Sequence, residues 1–278
     1  MFNPFNLNKQ NPFEGIELNS ICFFDTETTG LHPSQSQIVE IAAMLGDKKF
    51  YKKIELTKET LKQIESQKEN FEKQGKKDKT IEDLLQMSNY HEGDDQKCSE
   101  EDALKEFVKF AKSAKILLAH NASFDMRMVN VRCQKYNIEP IKDIPVYDSL
   151  AFSRRFFVPS LITIEKTSRN AQSRQKAKDI LDKITKQYYK SGQRMNISNT
   201  LSSLVGALRG QSEGWHQAMA DVEMLKDLIE NFFKLMFDKH FKEDFEKDIR
   251  SKQTFKQYYM RNVRFEDRMK QSDKKKAR

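Results

Sequence analysis

The strongest constraint on the fold of this chain is a series of short apolar runs bounded by turn residues. Ile21-Cys22-Phe23-Phe24 ends in Asp25, and Thr26 to Gly30 carries turn chemistry, so a buried strand stopping at a loop is predicted there. Ile38 to Leu45 precedes Gly46-Asp47, a hairpin dipeptide, and Phe50-Tyr51 with Ile54 supplies the returning strand. Ile116 to Ala119 predicts a further strand, and Val146-Tyr147, after the loop between Pro140 and Pro145, a last short one.

Helical spacing fills the intervals. Ala103, Leu104, Phe107, Val108, Phe110 and Ala111 form an amphipathic pattern, a helix is expected over about 124–136, and the stretch 58–79 reads as an exposed helix and loop. Residues 172–190 read as a strongly basic helix, and Leu201, Leu204, Val205 and Leu208 mark a short helix closed by Gly210. The last core helix follows Trp215 and carries Met224, Leu225, Leu228, Ile229, Phe232 and Phe233. Strands first, then alternating helix and strand, predict an α/β fold with a mixed sheet. Residues 1–15, with Pro4 and Pro12 among several Asn, read as a flexible arm.

Composition narrows the function. With 278 residues, 20 Phe and 8 Tyr, the chain has ample material for a core despite being 32% charged. Cys22, Cys98 and Cys133 are odd in number, lack a CxxC pair and have no histidine at zinc-ligand spacing, which argues against a disulfide scaffold or a structural zinc site. The N-terminal sequence lacks the pattern of a secretion signal, and no window approaches a membrane span. A protein inside the cell is expected, cytoplasmic with the nucleus left open.

The net charge of +8 is unevenly distributed. Residues 154–194 hold 11 basic against 3 acidic residues, a net +8, and residues 232–278 hold 15 against 8, a net +7, leaving −7 on the remainder. An acidic body with two basic segments suits carboxylate chemistry on a polyanion; two solvated helical faces produce the same count.

Four carboxylates stand at telling places. Asp25 and Glu27, two apart on a strand, point the same way, and their repulsion is relieved by a cation between them. Read alone, the pair also fits a capped turn. Asp125 follows the Ile116 to Ala119 strand in His120-Asn121-Ala122-Ser123-Phe124-Asp125, where a helix N-terminal acid is the plain alternative. Asp221 shares its helical stripe with Leu225, Leu228 and Phe232, and an aspartate on a buried face needs a partner. His216 lies five residues before Asp221, about 140° from it on a helix, so it is better placed on the preceding loop, where it can act as a base.

DTETTG (Asp25 to Gly30), HNASFD (His120 to Asp125) and HQAMAD (His216 to Asp221) together resemble the three sequence blocks of the DEDDh 3′-to-5′ exonucleases, the DnaQ-like family that includes the proofreading subunit of bacterial DNA polymerase III and ribonuclease T. The third block fits the HxAxxD pattern of the histidine branch, and the match covers about Ser20 to Leu235.

The resemblance implies a ribonuclease-H-like fold, a mixed five-stranded sheet flanked by helices. It implies hydrolysis of phosphodiesters from a 3′ end with two Mg²⁺ or Mn²⁺, releasing nucleoside 5′-monophosphates. Asp25 is implied to bridge both ions, Glu27 and Asp221 to complete the ligation, and Asp125 to hold one ion directly or through water. His216 is implied as the catalytic base. Thr28, Thr29 and Leu31, with Asn121 and Phe124 nearby, are implied to line the terminal-nucleotide pocket, although Phe124 can equally pack inward as the start of a helix.

The resulting expectation is an exonuclease domain over 16–235 with a charged, basic helical insertion at about 154–194, and a basic helical C-terminal extension over 236–278. The substrate is a nucleic acid with a 3′ end, DNA favoured over RNA and single-stranded or frayed. Polymerase proofreading and docking through the extension are the further expectations. RNA trimming is the alternative, and a non-catalytic nucleic-acid-binding module is disfavoured by the presence of all five active-site residues. No membrane partner is expected.

Overall fold

Alternation of side chains along the short apolar runs decides which of two layers each residue serves. The computed structural model describes residues 17–74, 97–209, 218–236, 238 and 241–244. The strands β1 (Ile21–Thr28), β2 (Ile38–Leu45) and β3 (Lys48–Lys53) come first, followed by helices α1 (Lys58–Lys73) and α2 (Glu100–Ala111). Next are β4 (Ile116–Ala119), α3 (Ala122–Lys135) and β5 (Val146–Asp148). Helix α4 (Ser149–Phe152) passes through a π-helical turn, Ser153–Phe157, into α5 (Val158–Thr167). Helix α6 (Ala171–Ile184), strands β6 (Thr185–Tyr188) and β7 (Arg194–Ile197), and helices α7 (Leu201–Arg209) and α8 (Ala218–Met236) complete the order.

The main sheet has five strands in the order β3-β2-β1-β4-β5. β1, β2 and β3 pair antiparallel, whereas β4 and β5 are parallel to β1. The turn from β2 to β3 takes Gly46 to a φ of +59°, a conformation that favours glycine. On one face Ile21, Phe23, Ala42, Met44, Ile116 and Leu118 pack against the helices from α4 to α8. On the other, Cys22, Phe24, Ile41, Ala43, Leu117 and Ala119 pack against α2 and α3.

A buried polar knot secures the second layer. Glu100 accepts from Ile38 N at 3.0 Å, Arg132 Nε at 2.8 Å and Tyr136 Oη at 2.9 Å, and Arg132 also bonds its other oxygen. It joins α2, α3 and the start of β2, and with its hydrogen bonds made, the buried charge is compensated.

Two boundaries differ from the sequence reading. Strand β1 continues to Thr28 instead of stopping at Asp25, because β2 runs alongside it through Glu27–Glu40 and Thr28–Ile38, with a bulge between Glu27 and Thr28. The ladder outcompetes the local turn chemistry of Thr26 to Gly30. The basic helix expected over 172–190 ends at Ile184, and residues 185–197 form a β-hairpin. Within the basic segment 154–194, Phe156, Phe157, Leu161, Ile164, Ala177, Ile180, Leu181 and Ile184 are core residues packed with Leu228 and Phe232 of α8.

Of the basic extension, Phe241 is fully buried in this core, and Asp244 accepts from Ser168 Oγ at 2.6 Å. These contacts tie the start of the extension to the body. Residues 237, 239–240 and 245–278 of the extension, the arm at 1–15, residues 75–79 and Gly210 lie outside the described residues. Among the described residues no helix is long and apolar enough to cross a membrane.

Candidate active site

The parity of β1 builds the site. Ile21 and Phe23 face the layer containing α8, so Asp25 and Glu27, the next residues of that parity, are aimed at the same side. Helix α8 packs across β1 and β2 and is anchored by Val222, Leu225, Leu228 and Phe232, all fully or nearly fully buried. That stripe leaves Asp221 half-buried at the first turn. Asp25, Glu27 and Asp221 thereby come together, each offering a carboxylate oxygen within 4.8 Å of the others.

Asp125 arrives from the opposite layer. Thr26, of opposite parity, donates its backbone N–H at 3.2 Å and its hydroxyl at 2.7 Å to Asp125 Oδ1. The carboxylate at the first turn of α3 is thus tied to the middle of the acidic strand segment. No Lys or Arg forms an ion pair with Asp25, Glu27 or Asp125 among the described residues.

The electrostatic consequence is severe crowding of like charge. Burial first, then the charges of Asp125, Glu27, Asp221 and Glu40, raises the Asp25 carboxyl well above its ordinary range. Glu27 is pushed up to about 7 by burial, followed by Asp221, Glu40 and Asp125. Burial also raises Asp125, against the opposing hydrogen bonds from Thr26. Such a cluster either takes up protons or takes up a cation. Converging carboxylate oxygens are the hard ligands that Mg²⁺ and Mn²⁺ prefer, so the residues present fit a divalent metal.

Glu40 is the residue the sequence reading missed. It is buried on β2 directly opposite Glu27, and its Oε2 accepts from Ala218 N, the first residue of α8, at 3.2 Å. It thus links the carboxylate-bearing strand to the helix that carries Asp221. The available signal was a glutamate inside the otherwise apolar run Ile38 to Leu45.

The expected nucleotide-pocket residues divide. Leu31 is 73% exposed on the loop after β1, free to offer apolar contact. The Thr28 hydroxyl donates to Gly30 O at 2.9 Å and Thr29 Oγ1 accepts from Gln37 N at 2.9 Å, so both shape that loop. A Cβ on Gly30 would lie 2.9 Å from Ser36 Oγ, so a larger residue there would require that side chain to move. Asn121 is exposed with φ +76°, and its N–H donates to Asp148 Oδ1 at 3.0 Å. Phe124 is half-buried against the α2–α3 layer, the inward packing weighed for it. His216 lies outside the described residues.

His120 acts as a clamp. Its Nε2 donates to Asn199 O at 3.0 Å, its Nδ1 meets Ser149 Oγ at 2.9 Å, and burial pushes its pKa down to about 4. A neutral ring therefore fastens the segment before α7 to the end of β4. Beyond that segment a groove of about 310 Å³ opens between Lys186, Thr200, Leu201, Ser202, Ser203, Met224 and Asp221, reaching the acidic cluster at its Asp221 wall.

Residues 22–158 match the family model RNase_T, described as exonuclease. Over 144 residues the chain is 28% identical to the DNA polymerase III PolC-type of Ureaplasma parvum serovar 3, covering 51% of this chain and 9% of that one. Its fold is similar to that of Escherichia coli exonuclease I in complex with a dA16 oligonucleotide, with a TM-score of 0.51 and 15% identity over 82% of this chain and 42% of that one. The complex of the same enzyme with a dT13 oligonucleotide gives a TM-score of 0.50 at 15% identity and the same coverage. The chain therefore spans less than half of exonuclease I and only a small part of the polymerase. The exonuclease family match over residues 22–158 and the polymerase relative support a DnaQ-like exonuclease family for this chain, and the fold it shares with exonuclease I includes the mixed sheet.

Proposed function

We propose that the chain is a DEDDh-type 3′-to-5′ exonuclease that removes nucleoside 5′-monophosphates from single-stranded or frayed DNA. The observation that carries this reading is the convergence of Asp25, Glu27 and Asp221 within 4.8 Å, in a chain of an exonuclease family. Two Mg²⁺ or Mn²⁺ bound there supply a water of lowered pKa and neutralise charge building on the phosphodiester. Asp25, Glu27, Asp221 and Asp125 hold that charge in place. Thr26 fixes Asp125 through two hydrogen bonds, and Glu40 fixes the start of α8 through Ala218 N.

His216 takes the proton of the attacking water, whose oxygen bonds to phosphorus as the bond to the 3′ oxygen breaks. Thr28, Thr29 and Leu31, with Asn121 and Phe124, receive the terminal nucleotide. Residues 16–235 constitute the catalytic unit, with the basic region 154–194 and the extension 236–278 as substrate- or partner-facing parts. The name of the Ureaplasma relative favours DNA and a polymerase setting, including proofreading. The RNase_T name of the matching family favours the second reading, trimming of RNA.

Matched DNA and RNA oligonucleotides labelled at the 3′ end test both readings. Metal-dependent release of labelled mononucleotide from DNA is expected, with RNA slower. Preferred RNA turnover moves the assignment to the second reading, and internal cleavage products or turnover in EDTA refute the exonuclease reading.

A further inference from the structure

The hairpin of β6 and β7 has a rigid root and an exposed outer part. At the root, Arg194 bonds Glu165 through two nitrogens, at 2.6 and 3.0 Å, and Asp182 at 2.6 Å. Ser198 N donates to Ile184 O at 2.8 Å. Asn199 is held twice, by His120 through its backbone carbonyl and by Ser153 Oγ at 2.7 Å through its side chain. The turn is closed by Tyr189 N to Gln193 O at 2.8 Å and Gly192 N to Tyr189 O at 2.9 Å.

The outer part carries a different chemistry. Tyr188, Tyr189 and Met195 are 46%, 50% and 45% exposed. Lys186 and Lys190 are exposed beside them, with no ion pair among the described residues. Residues 185–209 contain no Asp or Glu. Lys186 also borders the groove whose walls include the Thr200, Ser202 and Ser203 side chains and Asp221.

We propose that this hairpin grips the unpaired nucleic-acid strand leading into the carboxylate centre: Lys186 holds a backbone phosphate at the groove, Lys190 holds another at the hairpin turn, and Tyr189 stacks on a base. Cations flanking exposed aromatic rings match a strand that presents phosphates on one side and open base faces on the other. A duplex hides those faces in its own stack, so the combination selects single strands. The root contacts matter because a pre-ordered hairpin loses little entropy when the strand binds. The groove supplies the path, since one wall is the carboxylate-bearing turn of α8.

The proposal rests on the exonuclease reading, and the two are tested separately. Turnover of a dinucleotide by the unaltered chain reports on the nuclease centre alone. Binding of a 5′-labelled single-stranded DNA of about 12 nucleotides, in EDTA so that it is not consumed, reports on the hairpin. Lys186→Gln with Lys190→Gln is expected to reduce the slope of log affinity against log salt by about 1.4, at roughly 0.7 per phosphate contact for single strands. Tyr189→Ala is expected to weaken binding about tenfold while leaving the slope intact. Lys58→Gln with Lys62→Gln, on the exposed side of α1, is the control for net charge. An unchanged slope and affinity in the hairpin variants overturns the proposal. So does an equal change in the control, or a blunt duplex bound as tightly as the single strand.

Discussion

The end of β1 and the segment from Arg154 to Ile197 are opposite in charge and opposite in how that charge is managed. At β1 the carboxylates of Asp25, Glu27 and Asp221 are driven together, and among the described residues no Lys or Arg forms an ion pair with Asp25 or Glu27. In the basic segment part of the charge is compensated locally: Arg194 lies between Glu165 and Asp182, and Lys176 pairs with Asp238. Local compensation is structural, whereas a charge the fold leaves exposed or crowded is available to a ligand. By that criterion the acidic cluster and the exposed cations of the hairpin are ligand-facing parts.

The contrast breaks most sharply at Asp25. Asp25→Asn keeps the side-chain shape and removes the central charge. Metal-dependent hydrolysis is expected to fall about 10³-fold or more, equivalent to roughly 4 kcal/mol of transition-state stabilisation, with the melting temperature in EDTA held or raised. Near-normal turnover would put the chemistry elsewhere.

Glu40 separates ligand-bearing from positioning roles within the same cluster. Glu40→Ala removes the acceptor for Ala218 N and is expected to cost about 10- to 100-fold in kcat/KM, typical of groups that orient metal ligands. Glu40→Gln retains an acceptor and should recover most of that loss. Equal losses in both variants would show that the negative charge matters more than the link to α8.

Removal or addition of metal tests the crowding itself. Glu27, raised from 4.5 to about 7 in the folded chain without metal, contributes stability that is fully present below its unfolded pKa. That contribution is lost as pH rises through about 7. The metal-free protein should therefore melt at lower temperature at pH 8 than at pH 5 if this group dominates, and Mg²⁺ or Mn²⁺ should restore more at pH 8. At 100-fold excess over Kd the gain is about 2.7 kcal/mol. A metal-induced shift that is larger at pH 5 would contradict it.

The basic side predicts the smallest effect. Arg194→Ala removes ion pairs to Glu165 and Asp182 at the hairpin root and should cost about 1–2 kcal/mol in denaturant unfolding, well below the figure for a fully buried pair. A null effect would mean that the hairpin is held by Ser198 and Asn199 alone.

The hairpin and β1 also show why some features were legible and others were not. Strand identity in β1, β2 and β4 followed from apolar runs that no helix face explains, and the order of the acidic blocks was already linear in the sequence. The polar half of β1 read as a turn because its strand character comes from β2, through pairings such as Thr26 with Ile41. The hairpin read as the end of a basic helix because Lys, Gln and Tyr carry little periodic signal, and its strands are polar on both sides. Glu40 offered one local signal, a glutamate inside an apolar run, but its role emerges only when Ala218 is brought to it from 178 positions away.

The sequence by itself determined the α/β layering, the carboxylates at Asp25, Glu27, Asp125 and Asp221, and the concentration of cations in two segments, because each is written in local pattern and composition. Only the tertiary structure decided which carboxylates meet, that Thr26 and Glu40 brace them, and which cations stay exposed after Glu165, Asp182 and Asp238 have taken their partners. The physical reason is that repulsion, ion pairing and ladder hydrogen bonds depend on distance in space, and the fold alone makes residues far apart along the chain neighbours.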